Sequence, residues 1–303
     1  MPHWKLTLAY DGTRFHGWQV QPNLPTIQGQ LAAALLRITG ETVLPQGSGR
    51  TDAGVHALAQ VASVTLQSPI PSANLHRALN RILPTSIRIL SAQPAPPHFH
   101  ARLSALHKTY EYRIFERHPP PPNPATPEET TNRAPHLSLL RCGTTTSAAQ
   151  PTPTTPTRIC SPFAAPYLWD CRFRLDLDAM QTAAHHLLGT HDFTSFAASD
   201  PDLTQRTPSS EPCAANSAPN PVKTIHAATL NRTPEALTFT ITGSGFLHHM
   251  VRNLAGTLVE IGRGALAADA IPPILAARDR HSAGPTAPAH GLFLLSVHYG
   301  DPQ

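Results

Sequence analysis

Twelve prolines fall between residues 119 and 166, in stretches such as HPPPPNP and PTPTTPT. Proline fixes φ and lacks an amide proton, so a run this dense neither continues a helix nor sits inside a sheet. The composition predicts a mostly disordered or extended insertion over residues 117–160, and a second, shorter one over about 200–221. The core must then come from two ordered parts, residues 1–116 and 161–303. At 303 residues the chain exceeds the size at which single hydrophobic cores stop growing. Two cooperating units follow.

Periodicity fills in both parts. WKLTLAY (4–10) sets Trp4, Leu6, Leu8 and Tyr10 on one face of a half-buried strand. Thr26 can cap a helix carrying Ile27, Leu31, Ala34, Leu35 and Ile38 until Gly40 ends it. A strand, a helix stopped by Pro84 and a further strand come next. In the long strand ALHKTYEYRIFER, Leu106, Lys108, Tyr110, Tyr112 and Ile114 share a face. The second part starts with an Asp-capped helix, LDLDAMQTAAHHLLG. A hairpin of KTIHAATL and ALTFTITG, a helix over FLHHMVRNLAGTLVEIG, a shorter helix DAIPPILAARD and a closing strand GLFLLSVHY complete it. Neither half shows the βαβα rhythm of a doubly wound sheet, so the expected class is α+β with mainly antiparallel pairing, in two similar halves.

Formal net charge is +4, and Lys5, Lys108 and Lys223 are the only lysines. An arginine-dominated excess favours an anionic partner, because the planar guanidinium suits phosphates and stacks on bases. Cys142, Cys160, Cys171 and Cys213 show no Cys-x-x-Cys spacing, which points to free thiols in a reducing compartment. The pairs His98/His100, His185/His186 and His248/His249 lack a carboxylate or cysteine at ligand spacing, so no metal is expected. The N-terminus has no apolar signal core, and no apolar stretch reaches the roughly 18 residues of a membrane span. A soluble, cytoplasmic protein with no membrane partner is the expectation.

The most concentrated chemistry lies in GSGRTDAGVHALAQV, residues 47–61. A dinucleotide fingerprint from Gly47 would need glycine where Asp52 stands, and a phosphate loop from Gly49 would need Lys-Ser/Thr where Val55-His56 stand. Both fail. An ordinary turn in which Asp52 bonds its own backbone remains open. So does an acid held on a backbone that Gly47, Gly49 and Gly54 free for close approach to a ligand, with Arg50 beside it.

This stretch closely resembles the signature of the tRNA pseudouridine synthase A family. Four further blocks resemble that family in the same order: YDGTRFHGWQVQPNLPTIQGQL (10–31), FHARLSALHKTYEYRIF (99–115), GTHDFTSF (189–196) and GSGFLHHMVRNLAGTLVEIG (243–262). Together they cover most of the chain outside the two proline-rich segments. The resemblance implies two ferredoxin-like subdomains joined across a central basic cleft with helices on the outer faces. It further implies a homodimer, tRNA as substrate, and an isomerase that needs no cofactor and converts uridine to pseudouridine at anticodon stem-loop positions 38 to 40.

It also implies roles. Asp52 would be the catalytic carboxylate and Arg252 its partner arginine; Tyr110 would stack on the target base, with Tyr112 as runner-up. Arg50 would steady the flipped nucleotide or fill the place it leaves, and Arg102 and Arg14 would contact phosphates. A water-excluding pocket raises a carboxyl pKa, so an ionised Asp52 requires a nearby cation. His248, Arg252 and Gly256 form a row at helical spacing, in which Gly256 lets another backbone come close. Two features depart from the family pattern: the long proline-rich segment, and Phe15 where a tyrosine is often found. A non-catalytic RNA-binding protein on the same scaffold is the alternative, but the aromatic strand of a sheet-type RNA reader is missing and the acid is retained.

Overall fold

The structure, a computed structural model, describes residues 2–118, 158–198 and 220–300. In β1 (His3–Tyr10) Trp4, Leu6, Leu8 and Tyr10 alternate inward as their spacing demands. Helix α1 (Ile27–Thr39) starts at Thr26, whose hydroxyl accepts the Gly29 amide. It ends at Gly40, whose φ of 76° suits a residue with no side chain. A two-residue β2 (Gln46–Gly47), then β3 (His56–Thr65), α2 (Ser72–Ile82), β4 (Ile87–Ala95) and β5 (Ala105–Glu116) complete the first part.

The second part contains β6 (Trp169–Cys171), α3 (Leu177–His185), β7 (Gly189–Asp192), β8 (Val222–Arg232) and β9 (Leu237–Gly243). Then come α4 (Met250–Gly262), α5 (Ile271–Ala277) and β10 (Leu292–Tyr299). Asp176 caps α3 by accepting from the Ala179 amide at 3.1 Å. None of the described helices is long and apolar enough to cross a membrane.

The ten described strands belong to one sheet in the order β4-β1-β3-β10-β5-β9-β8-β7, with β2 on β3 and β6 on β5. Pairing is antiparallel except for β10 with β3 and β5 with β6. The α+β class and the antiparallel character follow the sequence reading. β10 lies between β3 and β5, joining β3 only through Phe293 opposite His56 and Leu294 opposite Ala57. Stacking of the His56 ring on Phe293, with centroids 4.7 Å apart, reinforces that short seam.

One expectation needs correction. The helix read from Phe246 onward begins only at Met250, because His249 adopts a left-handed φ of 58° that a helix cannot accommodate. His248 therefore sits ahead of the helix and not in a row along it. The insertion expected at 117–160 lies outside the described residues except at its flanks, and the one at 200–221 except for Asn220 and Pro221. At the first pair of flanks the Arg158 amide donates to Arg117 O at 2.8 Å, and Arg117 forms two hydrogen bonds to Asp170. The chain leaves and re-enters the fold at one point.

Candidate active site

The loop between β2 and β3 is held by the protein on every side. Ser48 Oγ donates to Gln60 Oε1 at 2.5 Å, Gln60 Nε2 donates to Gly49 O at 3.0 Å, and Tyr10 Oη meets Thr51 Oγ1 at 2.8 Å. Burial pushes the Tyr10 phenol up to about 12 against the pull of those hydrogen bonds, so it stays a neutral partner. The segment 10–18 lies flush on the loop: the Trp18 amide donates to Thr51 O at 3.0 Å, and a Cβ on Gly17 would fall 2.5 Å from that same oxygen.

The glycines do a different job from the one expected of them. A Cβ on Gly47 would meet the Trp18 indole at 2.5 Å, and one on Gly49 would meet Lys108 Nζ at 2.9 Å. Their missing side chains make room for the protein's own groups, not for a ligand's approach. Gly54 is required for its φ of 79°.

Asp52 is thereby presented toward the start of α4. Arg252 Nη1 donates to Asp52 Oδ2 at 2.9 Å, while Arg252 Nε donates to Ala287 O at 2.8 Å. The two side chains are 19% and 15% exposed, which is enough burial for the pairing to matter and enough opening for a ligand to reach the acid. Gly256 allows this arrangement, since a Cβ there would sit 1.8 Å from Pro285 O. The close backbone approach expected of Gly256 is the packing of α4 against residues 284–287, whose Ala287 amide donates to Arg252 O at 3.1 Å.

The same cleft is lined by Arg50, Tyr110, Phe246 and His249, among others. Tyr110 is 7% exposed and stands edge-on to Phe246, with ring centroids 5.1 Å apart. Burial, together with the phenol of Tyr10 and the carboxylate of Asp52, pushes the Tyr110 hydroxyl up, so the ring is uncharged at neutral pH. Tyr112 is fully buried and donates its hydroxyl to Pro288 O at 2.7 Å, away from the cleft lining. Arg50 stands exposed at the rim. Arg14 and Arg102 are exposed and outside the lining; Arg102 lies near Lys108 and Lys223.

Sequence reasoning missed the imidazoles as neighbours of the acid. His249 Nε2 lies 3.4 Å from Asp52 Oδ2, His248 Nε2 lies 3.7 Å from Oδ1, and the two rings are 3.9 Å apart. Burial pulls His249 below the usual imidazole range, as do the neighbouring His248, Arg252 and Arg280, against the attraction of Asp52. The sequence offers His248 and His249 no carboxylate at ligand spacing, yet the fold supplies Asp52 from the loop between β2 and β3. Among the described residues, Asp52, His248 and His249 are the one group whose ligand atoms, all within 4.8 Å of one another, could hold a metal ion. Arg252 already places a cation on that carboxylate, which opposes a dication there.

An acid backed by a guanidinium thus stands in a cleft walled by a tyrosine and a phenylalanine. The profile of the family described as tRNA pseudouridine synthase matches residues 7–103 and 183–300, and the chain belongs to that family. It is 43% identical to the tRNA pseudouridine synthase A of Solibacter usitatus, over 97% of this chain and 98% of that protein. It is 41% identical to the tRNA pseudouridine synthase A of Moorella thermoacetica, over 99% and 100% respectively.

Proposed function

We propose that this protein is a tRNA pseudouridine synthase with Asp52 as its catalytic carboxylate, acting on uridines of the anticodon stem-loop at positions 38 to 40. The carrying observation is the Asp52–Arg252 pair at 2.9 Å, set in one cleft with Tyr110 although it joins residues 200 positions apart. In the reaction the ribose C1′–N1 bond breaks and a C1′–C5 bond forms. The C5 proton is lost and N1 gains one, so atoms balance without a redox partner, and no cofactor is called for. Arg252 holds the Asp52 carboxyl in place at 2.9 Å, whether it attacks the nucleoside or withdraws a proton from the ribose.

A base reaches Asp52 only when flipped out of its stem, and stacking on the Tyr110 ring offsets part of the lost stacking energy. Arg50, at the rim, steadies that nucleotide, and Arg14 and Arg102 contact phosphates outside the cleft. The architecture we propose is two ferredoxin-like subdomains, residues 1–116 and 161–303, flanking the segment 117–160 and sharing the central sheet across a basic cleft with helices outward. The working form is a cytoplasmic homodimer. Asp52→Ala is expected to abolish pseudouridine formation in purified tRNA while leaving tRNA affinity nearly unchanged. Substantial residual conversion by that variant refutes the assignment.

A further inference from the structure

Arg102, Lys108 and Lys223 come from three places in the chain and gather beside the cleft. Lys108 lies on β5 two residues before Tyr110 and so on the same face of the sheet. It pairs with Gly243 of β9, which pairs with Ile225 of β8; Lys223 is two residues before Ile225, again on that face. Arg102 comes from the turn between β4 and β5. The lysines lean on the two segments that build the active site. Lys108 Nζ donates to Ser48 O at 2.5 Å, next to Gly49. The Lys223 stem lies 3.8 Å from where a Gly245 Cβ would be, in the lead-in to His248 and His249.

Among the described residues, no carboxylate forms an ion pair with any of the three. Burial, reinforced by Arg102 and Lys223, pulls the Lys108 ammonium down to about 8. Lys223 is lowered by burial and by Arg102. A chain with only three lysines places two of them here, partly buried and facing a third cation. Holding like charges together away from water costs free energy unless an anion joins them. An anion with several oxygens suits the group: the bond to Ser48 O uses one of the three ammonium protons of Lys108 and leaves two to donate.

We propose that Arg102, Lys108 and Lys223 form a binding site for one phosphodiester of the RNA backbone, adjoining the nucleotide presented to Asp52. The inference rests on the RNA-modifying function proposed above and adds to it. A phosphate contact carries no sequence information but fixes register. Held one step along β5 from Tyr110, it sets which nucleotide comes to lie over that ring. The site therefore governs positional choice along the strand, a task the catalytic pair cannot perform.

The test is equilibrium binding of a transcribed tRNA anticodon stem-loop to the full chain and to Lys223→Gln and Arg102→Gln, across about 50 to 200 mM salt. Each variant should bind on the order of tenfold more weakly. Each should also lower the slope of log K against log salt by about 0.7. Lys223→Arg should restore the slope, which a variant that merely unsettled the fold would not allow. A stem-loop with one uncharged methylphosphonate linkage beside the target uridine should bind the wild type more weakly and cost Lys223→Gln less than it costs the wild type; an equal cost in both overturns the site. Unchanged affinity and slope in both Gln variants overturn the site, and if the wild type still converts tRNA uridine, the proposed function stands without it. A wild type that binds the stem-loop but converts no uridine in tRNA overturns the function instead.

Discussion

Lys108→Met removes a buried charge and keeps an unbranched stem. In the folded chain burial, reinforced by Arg102 and Lys223, brings the ammonium to about 8, against roughly 10.4 in an unfolded chain. At pH 7 the group is protonated in both states, so the folded protein carries the whole cost of holding it charged. The gap between the two values, at about 1.36 kcal/mol per pH unit, corresponds to about 3 kcal/mol. As pH rises from about 8 toward 10, the folded protein sheds this proton while the unfolded chain keeps it; the unfolded state then binds more protons and stability increases. The hydrogen bond from Nζ to Ser48 O, a charge-assisted bond of about 1.5 to 3 kcal/mol, is lost in the methionine variant. At pH 7 the two effects nearly cancel, leaving variant and wild type within about 2 kcal/mol of each other. By pH 10 the wild type should have gained about 2 to 3 kcal/mol on the variant. Tyr10, raised to about 12, loses folded-state advantage as pH climbs past its unfolded value, but identically in both proteins. Urea unfolding at stepped pH, read by tryptophan fluorescence, measures the difference. A constant difference from pH 7 to 10 refutes the reasoning.

Three further outcomes follow from the geometry. Arg252→Met leaves Asp52 without its cation and should cost about 3 to 5 kcal/mol in urea unfolding, with Asp52→Asn/Arg252→Met recovering part of that loss because no unpaired carboxylate remains. Gly256→Ala forces a methyl to within 1.8 Å of Pro285 O and should lower Tm by the equivalent of about 3 kcal/mol or more, visible by calorimetry. Because Arg158 and Arg117 are joined by a 2.8 Å backbone hydrogen bond, replacing residues 120–156 by a short glycine linker should leave a soluble protein that converts tRNA uridine at close to the wild-type rate. An insoluble or inactive product would show the segment to be part of the working fold.

Local structure was legible wherever one residue does one job. Thr26 announces a helix because its hydroxyl can take an orphan amide, Gly40 ends it because it accepts a left-handed φ, and β1 buries alternate residues as its pattern requires. What escaped were relations between distant segments. Nothing in LHHMVRN marks His249 as left-handed, or as a neighbour of Asp52 across the chain. The glycines of the GSGR stretch read as space for a ligand, and only the fold shows Trp18 and Lys108 filling that space. Arg252 and Tyr110 were found through the family blocks, and the helix pattern around Arg252 made its placement physically reasonable. The imidazole pair carried no such signal, since its carboxylate lies far away in the chain.

The position of β10 bears on how the chain acquires its shape during synthesis. Every other described strand is made before it, yet it fills a slot in the interior of the sheet, between β3 and β5. Until it arrives, β3 and β5 present unpaired edges to each other and to any neighbouring chain, a condition that invites wrong partners. The loop bearing Asp52 and the turn leading into α4 lie on opposite sides of that gap. A growing chain can thus form its local helices and hairpins early, but the acid and its arginine are brought together only when the latest described strand slides into place.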